Sequence, residues 1–141
     1  KMDKVIVAYW SQTGNTAAMA AAIGEGITEA GKEAVVTDIS SVSMDDLQAA
    51  SAFALGCPAM GDEVLEDTEF EPMFDGCKDA LKGKNIALFG SYGWGDGEWM
   101  RNWEDSCKEA GANLVCESVI CQEEPDDEAT EACKALGAAL V

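Results

Sequence analysis

Apolar residues fall into five short runs, at 5–10 (VIVAYW), 34–39, 52–56, 85–90 and 113–121, separated by stretches of helical period. Several runs are continuously apolar, as strands buried on both faces should be. Between them helices are predicted from near Thr16, Met44, Glu71 and Glu98, with a last one from about Asp126 to the end. Gly31, Gly83 and Gly111 each stand just past a helical stretch, where a left-handed residue closes the final turn. Strand–helix–strand repetition with right-handed crossovers builds a parallel sheet covered on both faces. The expected fold class is therefore α/β: a doubly wound five-stranded parallel sheet, order 2-1-3-4-5, with helices on both faces. That order places a ligand crevice at the carboxyl ends of strands 1 and 3, so loops 11–16, 57–63 and 91–97 carry the interest.

Length and charge narrow the choice. A chain of 141 residues is expected to form a single domain over 1–141. Its 27 acidic and 9 basic residues give a formal charge of −18, which repels nucleic acid and anionic membranes and favours positively charged protein partners. Histidine is absent, which removes the commonest general base and metal ligand and counts against hydrolytic triads. No two of the six cysteines (Cys57, Cys77, Cys107, Cys116, Cys121, Cys133) are separated by two residues, the spacing that zinc ribbons and thioredoxin-type pairs need. Reduced, mostly buried thiols in a cytoplasmic protein are expected instead. No run approaches the roughly 20 apolar residues of a membrane span. Lys1 precedes Met2, so the natural start is expected at Met2.

Candidate chemistry sits in the three loops. Ser11, Gln12, Thr13, Gly14, Asn15 and Thr16 join the first strand to the first helix without a spacer. Ser11, Thr13 and Thr16 offer hydroxyls, Gly14 permits a close backbone approach, and the helix presents unpaired N–H groups at its positive end. No Lys or Arg occurs from 5 to 31, so an anion held here is held by dipoles and hydroxyls alone. Ser, Thr and Asn are also ordinary cap and turn residues, so both readings stand on this loop by itself. In the second loop Met60 precedes Gly61, a polarizable side chain beside a backbone free to take positive φ, with Asp62 and Glu63 as acceptors. Met60 fits a core position equally well. In the third, Trp94 stands between Gly93 and Gly95 in neither strand nor helix period, an indole that no neighbouring element is obliged to cover. Trp99 and Trp103 lie four apart on the next helix and read as core, and Trp10 reads as core or site wall. A flat ring system carrying one phosphate would use all three loops.

These residues resemble the flavodoxins, specifically the short-chain type of anaerobic bacteria. The resemblance covers essentially the whole chain: YWSQTGNT at 9–16, GCPAMGDEVLED at 56–67, FEP at 70–72 and ALFGSYGWGDGEWMRNWE at 87–104, in the right order. It implies non-covalently bound flavin mononucleotide (FMN), with Ser11, Gln12, Thr13, Gly14, Asn15 and Thr16 on the phosphate. Pro58, Ala59, Met60, Gly61, Asp62 and Glu63 form the second contact segment, Met60 on the inner face of the ring and Glu63 on the N3 proton. Gly61 carries a peptide whose carbonyl turns toward N5 when that nitrogen is protonated. Ser91, Tyr92, Gly93, Trp94, Gly95 and Asp96 form the third, Trp94 on the outer face. Glu123 lies in a loop that can approach the ring.

The implied function is a low-potential one-electron carrier, not an enzyme, cycling between semiquinone and hydroquinone. Its expected partners are basic-surfaced redox proteins, reductases and oxidoreductases that otherwise use ferredoxin, and a monomer without membrane insertion is expected. The alternative is a small flavin-dependent quinone or NAD(P)H reductase, which usually needs more chain. A phosphoacceptor signalling domain shares the strand order, but Trp10, Ser11 and Cys57 stand where its acidic residues belong. A dinucleotide site lacks the three-glycine spacing in the first turn.

Overall fold

A computed structural model describes residues 4–141, and the expected start at Met2 lies outside them. Strands β1 (Lys4–Tyr9), β2 (Glu33–Asp38), β3 (Ala52–Gly56) and β4 (Asn85–Tyr92) follow the first four apolar runs. The strands of the sheet pair in parallel and their order is 2-1-3-4-5, as the sequence pattern predicts. Helices α1 (Asn15–Glu29), α2 (Met44–Ala49), α3 (Phe70–Gly76), α4 (Glu98–Glu109) and α5 (Asp127–Ala139) begin within a residue or so of the predicted positions. Gly31, Gly83 and Gly111 take positive φ, closing their turns as expected.

Continuous apolar strands imply two cores, and two are present. Alternate residues of the sheet, with Ile6 and Ala8 on one side, pack against Leu47, Phe70, Phe74, Trp99 and Trp103 of α2, α3 and α4. Val5, Val7, Ala54 and Phe89 face Met19, Ile23, Cys133 and Leu136 of α1 and α5. Helices α1 and α5 approach closely because small residues line their crossing. A Cβ at Gly26 would lie 2.1 Å from the Lys134 carbonyl oxygen, and one at Gly137 2.2 Å from that of Ile23. This contact seats α1 firmly against the sheet, and with it the loop at its N-terminus.

Two departures from the expected elements matter for the site. The fifth run is not one strand but two, β5 (Asn113–Leu114) and β6 (Val119–Gln122), both parallel to β4. The break at 115–118 is tied off by the Ser118 hydroxyl, which donates to Glu104 Oε2 of α4 at 2.6 Å. β4 continues two residues past its predicted end, so Ser91 and Tyr92 are held on the sheet and not in a loop. Pairing with Cys121 and Gln122 of β6 is what extends it.

Candidate functional site

At the carboxyl ends of β1, β3 and β4 the chain encloses a cavity of about 170 Å³. Its walls are Ser11, Gln12, Thr13, Asn15 and Thr16 of the first loop, Pro58, Ala59 and Met60 of the second, and Ser91, Tyr92, Gly93 and Glu123. Backbone bonds hold the three segments in register: Trp10 N–H donates to Gly56 O at 3.0 Å, Ala59 N–H to Ser91 O at 3.0 Å and Glu123 N–H to Tyr92 O at 2.9 Å. The sheet ladder thus runs on past the strands into the loops.

The first loop is arranged around donors. Gly14 caps α1 with φ +96°, offers no side chain, and leaves the first turn without an acidic residue. Ser11 Oγ accepts from Gly14 N–H at 3.1 Å and Ala17 N–H at 3.3 Å, so the loop folds back over the helix end. Thr16, buried, shares a 3.0 Å hydroxyl–hydroxyl bond with Ser91 Oγ and so joins the first loop to β4. The result is a helix N-terminus facing a cavity lined by hydroxyls, with no cation on the segment.

The second loop closes on itself. Met60 N–H donates to Val64 O at 2.8 Å and Val64 N–H to Met60 O at 3.0 Å, leaving Gly61, Asp62 and Glu63 as a three-residue tip. Gly61 takes φ +52° as expected, and Glu63 takes φ +56°, the rarer conformation for a residue with a Cβ. Glu63 is held there by its side chain. The carboxylate, only 9% exposed, reaches across to α4, where Oε1 accepts from Asp96 N–H at 3.1 Å, Gly97 N–H at 3.1 Å and Glu98 N–H at 3.3 Å. Gly95 makes room: a Cβ there would lie 2.3 Å from the Glu63 carboxyl.

A second carboxylate of the same loop does the same for α3. Glu66, 5% exposed, accepts from Glu69 N–H at 2.7 Å, Phe70 N–H at 2.8 Å, and both the N–H and hydroxyl of Thr68. Burial raises its pKa, but the Thr68 hydroxyl and the three N–H groups outweigh that and hold it at about 2 against an ordinary 4.5. Glu66 N–H in turn donates to Cys57 Sγ at 3.4 Å, and burial pushes that thiol up to about 12.

Of the eighteen residues expected to bind a cofactor, Gly14, Gly61, Asp62, Glu63, Trp94, Gly95 and Asp96 lie outside the cavity lining. Gly14 caps α1, whereas Gly61 lines the adjoining depression with Met60, Val64 and Asp67. Asp96 is exposed and bonded by Arg101 Nη2 at 3.0 Å. Trp94 is 61% exposed, the most exposed large apolar side chain among the described residues. Met60 is half-buried and lines the cavity, Trp99 and Trp103 are core, and Trp10 packs on that core while its Nε1 donates to Glu69 at 3.3 Å. Glu123, in the loop expected to be able to approach the ring but not among those eighteen, lines the cavity: its φ of +59° turns it back over Gly93, and Gln122 Nε2 bonds Gly93 O at 3.2 Å. Only its position after the last strand hinted at this.

Three comparisons bear on this geometry. The family model "Flavodoxin" matches residues 7–137. The chain is 47% identical over 131 residues to a flavodoxin of Clostridium beijerinckii, covering 93% of this chain and 94% of that one. It is 43% identical over 135 residues to one of Megasphaera elsdenii, covering 96% of each. The solution structure of two-electron reduced Megasphaera elsdenii flavodoxin superposes with a TM-score of 0.89 at 44% identity, over 96% of this chain and 97% of that one.

Proposed function

The chain belongs to the flavodoxin family, electron-transfer proteins with FMN as cofactor and not enzymes, and on that premise we propose how this chain works. It is a low-potential one-electron carrier, one domain over 1–141, whose flavin alternates between semiquinone and hydroquinone while the protein docks to basic redox partners. It acts in the cytoplasm as a monomer. No helix among the described residues is long and apolar enough to cross a membrane, which accords with that reading.

The residues fit FMN. A phosphate dianion needs several donors and no carboxylate on the same helix end, and the N-terminus of α1, with no acidic residue in its first turn, supplies the Asn15 and Thr16 N–H groups beside the hydroxyls of Ser11, Thr13 and Thr16, while Glu123 is the one acidic residue of the cavity wall. The open N-terminus of α1 beside Met60 in one cavity is the observation that carries the reading. When bound, FMN supplies the electron chemistry and the protein tunes it. Ser91, Tyr92 and Gly93 present backbone to the ligand from the end of β4, fixed by β6. Met60 and the exposed Trp94 would cover the two ring faces and exclude water from them. Gly61 would offer its carbonyl to N5 from a tip that tolerates a peptide turn, and Glu63, with Oε1 committed to α4, would keep its second carboxylate oxygen for N3. The charge of −18 penalises added negative charge and drives the second reduction to low potential.

The test is reconstitution. Flavin-free protein titrated with FMN should quench its fluorescence one-to-one, and riboflavin should bind at least about 100-fold more weakly, roughly 2.7 kcal/mol for the phosphate seat. Dithionite reduction should then pass through a long-wavelength one-electron species. Equal affinity for both flavins, or reduction without that species, would refute the proposal.

A further inference from the structure

Glu66 sits outside the cavity, in the lining of the adjoining depression with Met60 and Gly61, makes no hydrogen bond to a residue of the cavity wall, and is the most heavily bonded carboxylate among the described residues. Its bonds converge on two ends of one loop. Its backbone N–H reaches Cys57 Sγ at the end of β3, and its backbone oxygen accepts from Glu71 N–H at 2.9 Å. Its carboxylate gathers Thr68, Glu69 and Phe70 at the start of α3. Two residues upstream lies Val64, the closing residue of the Met60–Val64 bridge. The base of the tip is therefore fixed between strand and helix by one residue, its backbone N–H on the strand side and its carboxylate on the helix side, and a tip carrying two positive-φ residues needs such a base.

We propose that Glu66 is a positioning residue for the Met60–Val64 turn, holding the Gly61 peptide where a single rearrangement suffices to meet the flavin. The inference deepens the function proposed above and rests on it for its redox consequence only. Glutamine at 66 keeps one acceptor oxygen but turns an amide donor toward the Thr68 or Phe70 donors, so two bonds are lost and the shape is kept. Valine at 68 removes one hydroxyl donor and leaves every charge in place.

Two readouts test it. In flavin-free protein, Glu66→Gln should speed amide hydrogen exchange at Met60 and Val64 by about tenfold while exchange in β1 and β3 stays unchanged. In the FMN-loaded protein the first one-electron potential should fall by about 59 mV, a tenfold loss of stabilisation for a one-electron couple. Thr68→Val should move both readouts the same way by a smaller factor, and it decides alone if Glu66→Gln does not fold. Removal of a charge without loss of position would instead leave the first potential and the exchange unchanged and raise only the second. That pattern, or unchanged exchange in Thr68→Val, overturns the proposal. Failure of wild-type protein to take up FMN would sink the flavodoxin function and leave the exchange test standing.

Discussion

Helices α1 and α4 start at the same end of the sheet, and each is entered through a left-handed glycine without a capping side chain, Gly14 at φ +96° and Gly97 at φ +95°. At α4 the donors are taken by Glu63, a carboxylate from another loop. At α1 Ser11 Oγ takes the Ala17 N–H and no carboxylate bonds the first turn, which faces a cavity whose one acidic wall is Glu123. Equal backbone geometry thus yields a closed structural joint in one place and a helix end open to a cavity, the phosphate seat of the proposed function, in the other, and the difference is a single anionic side chain. In a chain of net charge −18, keeping one helix end free of carboxylates is the more demanding arrangement.

The largest effect should come from making α1 resemble α4. Thr13→Asp puts an anion into the seat, and FMN affinity measured by fluorescence quenching should drop at least 100-fold, about 2.7 kcal/mol, with the thermal midpoint nearly unchanged. An affinity within threefold of wild type would show that the seat does not hold the phosphate. The converse change opens the joint at α4. Gly95→Ala drives a Cβ into the Glu63 carboxyl from a backbone at φ +91°, which should strip the cap and cost about 2–3 kcal/mol in urea unfolding. A loss below about 0.5 kcal/mol would show that Glu63 does not hold α4.

Acid should divide the helix ends more gently. Glu66 is held at about 2 against an ordinary 4.5, so between those values the unfolded chain binds the extra proton. Its contribution to stability is present above about pH 4.5 and is lost as pH falls through 2. Urea midpoints of wild type and Glu66→Gln should therefore converge below pH 4, whereas Thr13→Val should keep a constant offset. Parallel curves for Glu66→Gln would mean that its ionisation is not what binds α3.

How much of this the sequence revealed follows the same division. Strands buried on both faces must be apolar throughout, so 52–56 was readable to the residue and the strand order came with it. The place of 11–16 on the cavity was readable because its donors and its helix are contiguous. Trp94 stood out because glycines flank it. Glu63 and Glu66 were not distinguishable as caps, since each acts on backbone brought near by the fold and each is one acid among 27. The split of the fifth run at 115–118 was hidden for a similar reason: Cys116 and Val115 continue the apolar pattern while Ser118 is captured by Glu104 of α4.

The absence of lysine and arginine from 5 to 31 has a consequence for selectivity. A seat built on charge would fill with whichever small anion is most abundant, inorganic phosphate included. Under the proposed function, dipoles set within a strongly acidic protein give free anions little reason to linger, so residence would depend on the rest of the guest making its own contacts with Met60 and the strand ends. A phosphate tail would then be admitted only in the company of its ring.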